Sequence, residues 1–138
     1  MKVRILTLFL TLGLVICISC NNDDDSSQNE TLIGSWNLKT AKAGLLGIDE
    51  DFETGIITWA FNNQNLTVVN NTTDENSYSG YESGTYSYSI VESNGNSYIT
   101  INNAEVGKYI LSKNNLTINE NELQSGSGND GFILAFER

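Results

Sequence analysis

Residues 84–102 read GTYSYSIVESNGNSYITIN, and their apolar and polar side chains alternate with a period of two. This period is typical of a β-strand with one buried face. Asn94-Gly95 interrupts it, and both residues tolerate the positive φ angles of a type I′ hairpin turn. The segment is therefore predicted to form two antiparallel strands, Gly84–Val91 and Ser97–Asn102. Their expected inner faces carry Tyr86, Tyr88, Ile90, Ile99 and Ile101.

The same alternation recurs on both sides of this hairpin, in six further short segments. Asn-rich and Gly-rich turns join most of them, Pro is absent, and no window keeps a helical apolar period for three turns. Eight short strands in sequence predict an all-β fold, an eight-stranded antiparallel up-and-down β-barrel, because closing the sheet removes its exposed edges. A two-sheet β-sandwich is the alternative. The six further strands are predicted at Ile33–Ala41, Gly55–Asn62, Leu66–Val69, Gly107–Ser112, Leu116–Asn119 and Phe132–Arg138.

The sequence pattern also leads to expectations for the first strand and for two connecting segments. In the first strand, the alternation puts Trp36, Leu38 and Thr40 on one face. The segment Gly44–Phe52 is the one place predicted to hold a helical turn, whose apolar side chains would plug one end of the barrel. The segment Asn70–Ser83 is mainly polar apart from two tyrosines, and we interpret it as a long hairpin loop.

The first nineteen residues have the three parts of a secretory signal peptide. Lys2 and Arg4 form a positive start, and the apolar segment 5–16 is too short for a membrane span, which needs about 20 residues. The segment Cys17-Ile18-Ser19-Cys20 resembles a bacterial lipobox, with Cys17 in the usual Leu position. The resemblance implies that Cys20 begins the mature chain and carries a diacylglycerol anchor with palmitate-type acyl chains. A cleaved signal peptide without lipid is the alternative.

The next segment, residues 20–30, is predicted to be a disordered tether. After Cys20 it contains no apolar residue and an acidic run, so it can bury nothing. An acidic run directly after the lipid-bearing cysteine resembles the surface-export signal of Bacteroidetes lipoproteins, and implies display on the outer face of the outer membrane. A plain solvated linker is the alternative. The chain is thus divided into a signal peptide (1–19), a lipidated tether (20–30) and one domain (31–138).

Composition excludes several functions. Seven basic and 17 acidic residues give a net charge of −10, which becomes −12 when Lys2 and Arg4 leave with the signal peptide. Such a chain is repelled by phosphate backbones and anionic lipid headgroups, so no nucleic-acid partner is expected. Both cysteines precede the domain and histidine is absent, which excludes thiolate and His-based zinc sites and a Ser-His-Asp triad in the domain. No cofactor is expected.

The start of the first strand carries Gly34-Ser35-Trp36, a Gly-x-Trp motif. With the count of eight strands, this motif resembles the lipocalin superfamily, and with the leader it resembles the short lipocalin-like lipoproteins of Bacteroidetes. The resemblance covers residues 31–138, and the second and third lipocalin motifs are not recognisable. It implies that Trp36 packs at the closed end of the barrel beneath a basic residue from the last strand. Arg138 shares the alternation of Phe132, Leu134 and Phe136, so we expect Trp36 and Arg138 to touch.

An eight-stranded barrel either fills with side chains or holds one small ligand. Two tyrosines on one strand, Tyr86 and Tyr88, need polar partners if they are buried, and a cavity with water or a polar-tailed ligand would supply them. The alternative is that the aromatic side chains fill the core and the hydroxyls reach a rim. The candidate ligand-binding residues are Trp59, Phe61, Tyr86, Tyr88 and Tyr109.

The acidic side chains offer weaker hypotheses. Asp49, Glu50, Asp51 and Glu53 cluster in one loop, but their spacing lacks the EF-hand pattern, so no metal site is expected. A carboxylate pair can hydrolyse a glycoside. However, no carboxylate is predicted inside the barrel, with Glu137 facing outward and Glu82, Glu92, Glu105 and Glu120 near strand ends. We therefore expect that this domain has no enzymatic activity and no catalytic residues.

The sequence favours a lipid-anchored outer-membrane protein that binds a small apolar or amphipathic ligand in the barrel. The membrane partner is reached through the lipid on Cys20. The alternative is a non-enzymatic surface accessory or inhibitor subunit that acts through protein contacts of the barrel surface or of the Asn70–Ser83 loop. A continuous cavity above ~300 Å³ lined by the five candidate ligand-binding residues would favour the first function, and a filled barrel with an exposed apolar patch would favour the second.

Overall fold

A computed structural model describes residues 31–45, 47–127 and 130–138 of the chain. The predicted signal peptide, the predicted lipidation site Cys20 and the predicted tether lie outside these residues. The described part of the chain consists of β-strands, turns and irregular segments. Within it, no helix has the length and apolar character needed to cross a bilayer.

The described ranges contain eleven strands, and the eight predicted ones are among them. Three short strands, β2, β9 and β10, were not predicted. The strands are β1 (Gly34–Ala43), β2 (Ile48–Asp51), β3 (Ile57–Phe61), β4 (Asn65–Asn70), β5 (Gly84–Ser93), β6 (Asn96–Ile101), β7 (Ala104–Ser112), β8 (Asn115–Asn119), β9 (Glu122–Leu123), β10 (Gly126–Ser127) and β11 (Phe132–Glu137).

Eight of these strands close into an antiparallel barrel. Each strand from β3 to β8 pairs with the next strand in the sequence, and β8 pairs with β11. Strand β1 closes the barrel by pairing with β3 on one side and with β11 on the other. The closing pair places Leu38 opposite Phe136 and Ala41 opposite Leu134. The predicted barrel is therefore confirmed, and the sandwich alternative is not the fold. Strands β9 and β10 form a separate two-stranded ladder.

The predicted inner face of β1 is wrong beyond Leu38. The pairing with β11 shifts register between Leu38 and Thr40, so a β-bulge inserts one extra residue there. After the bulge, Ala41 and Ala43 are buried and Thr40 is only half-buried. A strict period of two cannot show such a shift, because each bulge reverses the faces of the residues that follow it.

The predicted helical turn in Gly44–Phe52 is also wrong. This segment turns back and forms β2, which pairs with the second half of β1 from Thr40 to Ala43. The Phe52 N–H then donates to Lys39 O at 2.8 Å, and the Phe52 side chain is buried in the core. Leu45, expected to plug the barrel, is instead 86% exposed. Pairing with β1 satisfies backbone groups that a single helical turn would leave unpaired.

The barrel interior is a packed apolar core. Its largest fully buried side chains come from most of the barrel strands, and no polar or charged residue in the described ranges is buried. No described buried side-chain nitrogen or oxygen lacks a hydrogen-bond partner. The fully buried set is Trp36, Trp59, Phe136, Leu38, Ile57, Leu66, Ile99, Ile101, Leu116, Ile118, Leu134 and Val68.

One end of the barrel is closed around Trp36 and Arg138. The guanidinium carbon of Arg138 lies 4.5 Å from the Trp36 ring centroid, which is the contact that the sequence led us to expect. The Trp36 indole N–H donates to Leu32 O at 2.8 Å. Gly34 has a φ of +131° and lies beside the Arg138 guanidinium, so this position favours glycine. We call this the closed end.

Candidate functional site

The five candidate ligand-binding residues do not surround an open space together. Trp59 and Phe61 are 1% and 3% exposed, and their ring centroids are 6.1 Å apart. The Tyr88 ring packs edge-on against Phe61 at 5.0 Å, and Tyr86 and Tyr109 are half-buried against the same core. This arrangement matches the alternative in which the aromatic side chains fill the core.

The tyrosine hydroxyls find partners near strand ends rather than inside the barrel. Tyr88 Oη donates to Asn62 O at 2.6 Å, and Tyr86 Oη donates to Glu82 O at 2.8 Å. Burial raises the pKa of Tyr88 and of Tyr109, and a hydrogen bond with Ser97 partly offsets the rise in the pKa of Tyr109. These contacts satisfy the hydroxyls without a ligand.

The end of the barrel opposite the closed end is covered by the loop between β4 and β5, residues 71–83, which we call the mouth loop. The sequence predicted a long loop here, but it did not predict where the two tyrosines of the loop would lie. Tyr81 packs edge-on against Trp59, with ring centroids 5.6 Å apart. Tyr78 packs against Phe132 at 4.6 Å and against Phe52 at 6.5 Å. The loop therefore turns two aromatic rings inward onto the core.

Polar contacts hold the mouth loop in place at both sides. Glu50 Oε2, on β2, accepts hydrogen bonds from Ser77 Oγ at 2.7 Å and from the Tyr78 N–H at 2.8 Å. On the other side, the Asn70 side-chain amide donates to Tyr81 O at 3.1 Å and to Ser79 O. The loop is thus tied to β2 and to the end of β4, and its tyrosines are held over the barrel.

A cavity of about 390 Å³ lies beside these tyrosines, and we call it the mouth cavity. It is open to solvent, and its lining combines aromatic rings, one aliphatic side chain, small polar groups and one carboxylate. This volume falls in the lower part of the range of small-molecule pockets, roughly 300–1,000 Å³. The lining residues are Ile48, Asn76, Ser77, Tyr78, Ser79, Gly80, Tyr81, Glu120 and Phe132.

The carboxylate in the mouth cavity is Glu120, which follows β8. One of its oxygens accepts a hydrogen bond from the Phe132 N–H at 2.9 Å. Burial raises the pKa of Glu120, and this hydrogen bond partly offsets the rise. Burial also raises the pKa of Tyr78 and of Tyr81, and the nearby Glu120 charge raises both pKa values further. The carboxylate and the two hydroxyls therefore share one partly desolvated site.

The sequence analysis missed Glu120 by placing it only near a strand end. The signal was present, because Leu116, Ile118 and Glu120 share one parity and the first two are fully buried. Continuing the alternation of β8 by one step directs Glu120 toward the barrel mouth. Glu137, by contrast, is exposed, in agreement with its predicted outward position.

Two of the four acidic residues that the sequence places in one loop make other contacts. Asp49 pairs with Lys42 at 3.1 Å on the surface, and Glu50 holds the mouth loop. In the part of the chain that the structure describes, no group of three or more acidic residues is arranged to hold a metal ion.

A second concavity lies along the turn between β1 and β2. It is an open groove of about 710 Å³ whose lining includes Gly44, Leu45 and Ile133. Leu45 is 86% exposed and Ile133 is 41% exposed. Open aliphatic surface of this kind suits a protein contact better than an enclosed small ligand.

Comparisons of this chain with protein-family models, with curated proteins and with solved structures found no match. The all-β barrel and the geometry of the mouth cavity therefore supply the argument for function.

Proposed function

We propose that this protein is a lipid-anchored, lipocalin-like protein of the outer membrane that binds a small apolar or amphipathic ligand. The ligand binds in the mouth cavity rather than deep in the barrel. The observation that carries the proposal is a cavity of about 390 Å³ lined by Tyr78, Tyr81 and Phe132 together with polar groups. Apolar walls with a few convergent polar groups are the usual composition of a small-molecule site.

The filled core limits the size of this ligand. Trp59 is enclosed by Phe61, Phe136 and Tyr81, with centroid distances of 6.1, 5.0 and 5.6 Å, so nothing large can pass below Tyr81. A ligand that occupies only the mouth cavity is short, and part of it stays in contact with solvent.

Native mass spectrometry of the full chain, extracted from its host's membranes, tests ligand binding. We expect a persistent extra mass that is lost in Tyr81→Ala, because this change removes a ring from the cavity wall. Tyr88→Phe is the matched control, since its hydroxyl bonds to Asn62 O away from the mouth, and it retains the extra mass. Bare protein mass, together with no uptake of added short-chain amphiphiles, would reject the proposal.

The lipid anchor is tested separately. The lipobox-like segment Cys17-Ile18-Ser19-Cys20 and its acidic continuation support it. We expect labelled palmitate to be incorporated into the chain and into Cys17→Ser, but not into Cys20→Ser. Protease treatment of intact cells would then show whether the domain faces outward, and a protein that is protected until the outer membrane is broken would contradict surface display.

The groove beside Leu45 and Ile133 favours a second candidate function, a contact with a partner protein. In this function the barrel is a scaffold for an accessory or inhibitor subunit. Cross-linking in intact cells tests this contact. Leu45→Glu puts a charge in the groove, and Ile110→Glu puts a charge on β7, away from the groove, as the control. Loss of a cross-linked species in the first variant alone would support the contact.

A further inference from the structure

The charge around the mouth cavity has one sign. Glu120 lines the cavity, and no lysine or arginine is among its lining residues. Glu50 lies immediately behind the wall, where its carboxylate accepts hydrogen bonds from Ser77 and Tyr78. Neither carboxylate takes part in an ion pair among the described residues, so together they give the cavity a negative potential, which attracts cationic ligands and repels anionic ones.

The Glu120 carboxylate is positioned to contact a ligand. The described residues supply one hydrogen bond to it, from the Phe132 N–H to Oε2. No described group donates a hydrogen bond to Oε1, and Glu120 lines the cavity, so this oxygen is available to a ligand there. A partly desolvated carboxylate with one oxygen available is a counter-charge for a cation that enters the cavity.

Three aromatic rings surround the same space. Tyr78 and Phe132 lie 4.6 Å apart at an interplanar angle of 58°, so their faces are inclined to each other. Tyr81 adds a third ring above Trp59. Several aromatic rings beside one carboxylate are the set of groups with which proteins bind organic ammonium ions.

We infer that the mouth cavity selects a small organic ammonium ion with a short apolar tail. This inference rests on the proposed function and specifies its ligand class. The ammonium group lies between Glu120 and the rings of Tyr78, Tyr81 and Phe132, and the tail contacts Ile48. A carboxylate ligand of the same length is repelled, and a neutral alcohol gains only the apolar contact.

Isothermal titration calorimetry with three six-carbon probes tests the inference. The full chain is reconstituted on phosphatidylcholine vesicles, and empty vesicles provide the blank for partitioning. The probes are hexyltrimethylammonium, 1-hexanol and hexanoate. We expect the ammonium probe to bind about tenfold more tightly than the alcohol, which corresponds to about 1.4 kcal/mol, and hexanoate to bind more weakly than either.

Glu120→Gln separates charge from shape. Glutamine keeps an oxygen that can accept from the Phe132 N–H, so the loop geometry is retained. We expect the affinity for the ammonium probe to fall about tenfold, and the affinity for 1-hexanol to stay unchanged. Glu137→Gln, at an exposed carboxylate on β11, is the control and changes neither affinity. Phe132→Leu keeps an aliphatic wall but removes a ring, and also weakens only the ammonium probe.

The titrations give different results if the ammonium selectivity is wrong and if the proposed ligand site itself is wrong. Equal binding of all three probes, unaffected by Glu120→Gln, would overturn the ammonium inference and leave the proposed amphiphile site standing. No binding of any probe above the vesicle blank would overturn both.

Discussion

Replacing Arg138 by alanine removes the side chain that covers Trp36 at the closed end of the barrel. Arg138 donates hydrogen bonds to the carbonyls of Thr31, Ile33 and Lys113 at 3.2, 3.4 and 2.9 Å. Its guanidinium carbon also lies 4.5 Å from the Trp36 ring centroid. One side chain therefore ties the segment before β1 to the turn between β7 and β8.

The magnitude follows from these contacts. The cation–π contact contributes roughly 0.5–2 kcal/mol to the free energy of unfolding. Arg138 is exposed, so we assign each hydrogen bond a value at the low end, about 0.5 kcal/mol. Arg138→Ala is therefore expected to cost about 2–3.5 kcal/mol. Arg138→Lys keeps the charge but loses the planar fork, and is expected to cost about half as much.

Urea unfolding of the full chain measures this cost through tryptophan fluorescence, since Trp36 and Trp59 are its only tryptophans. With a urea slope of about 2 kcal/mol per molar, we expect the midpoint of Arg138→Ala to fall by about 1–2 M. Lys42→Ala is the control, because it breaks an exposed pair with Asp49 that contributes at most about 1 kcal/mol. If the two variants lose equal stability, the reasoning about the closed end is refuted.

Three further perturbations test other parts of the fold. Gly107→Ala brings a Cβ into collision with the backbone oxygen of Asn119 on β8, and is expected to lower the free energy of unfolding in urea by about 1–3 kcal/mol. Gly84→Ala is the control, because its Cβ makes only ordinary contacts and should cost little. Burial raises the pKa of Glu120 above its ordinary 4.5, so ionisation of this carboxyl opposes folding. Glu120→Gln should therefore have a larger free energy of unfolding than the parent at pH 8, and the difference should disappear below about pH 4. A difference that stays constant over this pH range would contradict the prediction. Glu50→Ala releases the mouth loop, so hydrogen–deuterium exchange at the Tyr78 amide should accelerate at least tenfold, and an unchanged rate would show that Glu50 does not hold the loop.

The strands of the barrel were predictable because each buries one face and exposes the other. The hairpin at Asn94-Gly95 illustrates this, since both residues have positive φ angles and β5 and β6 pair on either side of them. The bulge after Leu38 was not predictable from alternation, because the extra residue depends on how β1 fits β11 in three dimensions. The same limit applies to β2, whose pairing with β1 is a tertiary contact.

The candidate site was predictable only in part. Alternation correctly directed Tyr86 and Tyr88 toward the core, but it could not tell a filled interior from a lined cavity, because packing depends on the sum of all inward volumes. The sequence of the mouth loop shows no alternation of apolar and polar residues. The inward positions of Tyr78 and Tyr81 depend on tertiary contacts with Phe132 and Trp59, which a local sequence pattern does not predict.

Photo-crosslinking with a short alkyl diazirine probe tests the central claim, a ligand site at the barrel mouth, most directly. The probe is added to the full chain on vesicles, and labelled residues are mapped by mass spectrometry against a sample with excess unlabelled ligand. The account predicts competed labelling at Ile48, at residues 78–81 and at Phe132. Labelling confined to the groove at Leu45 and Ile133, or labelling that excess ligand does not reduce, would contradict it.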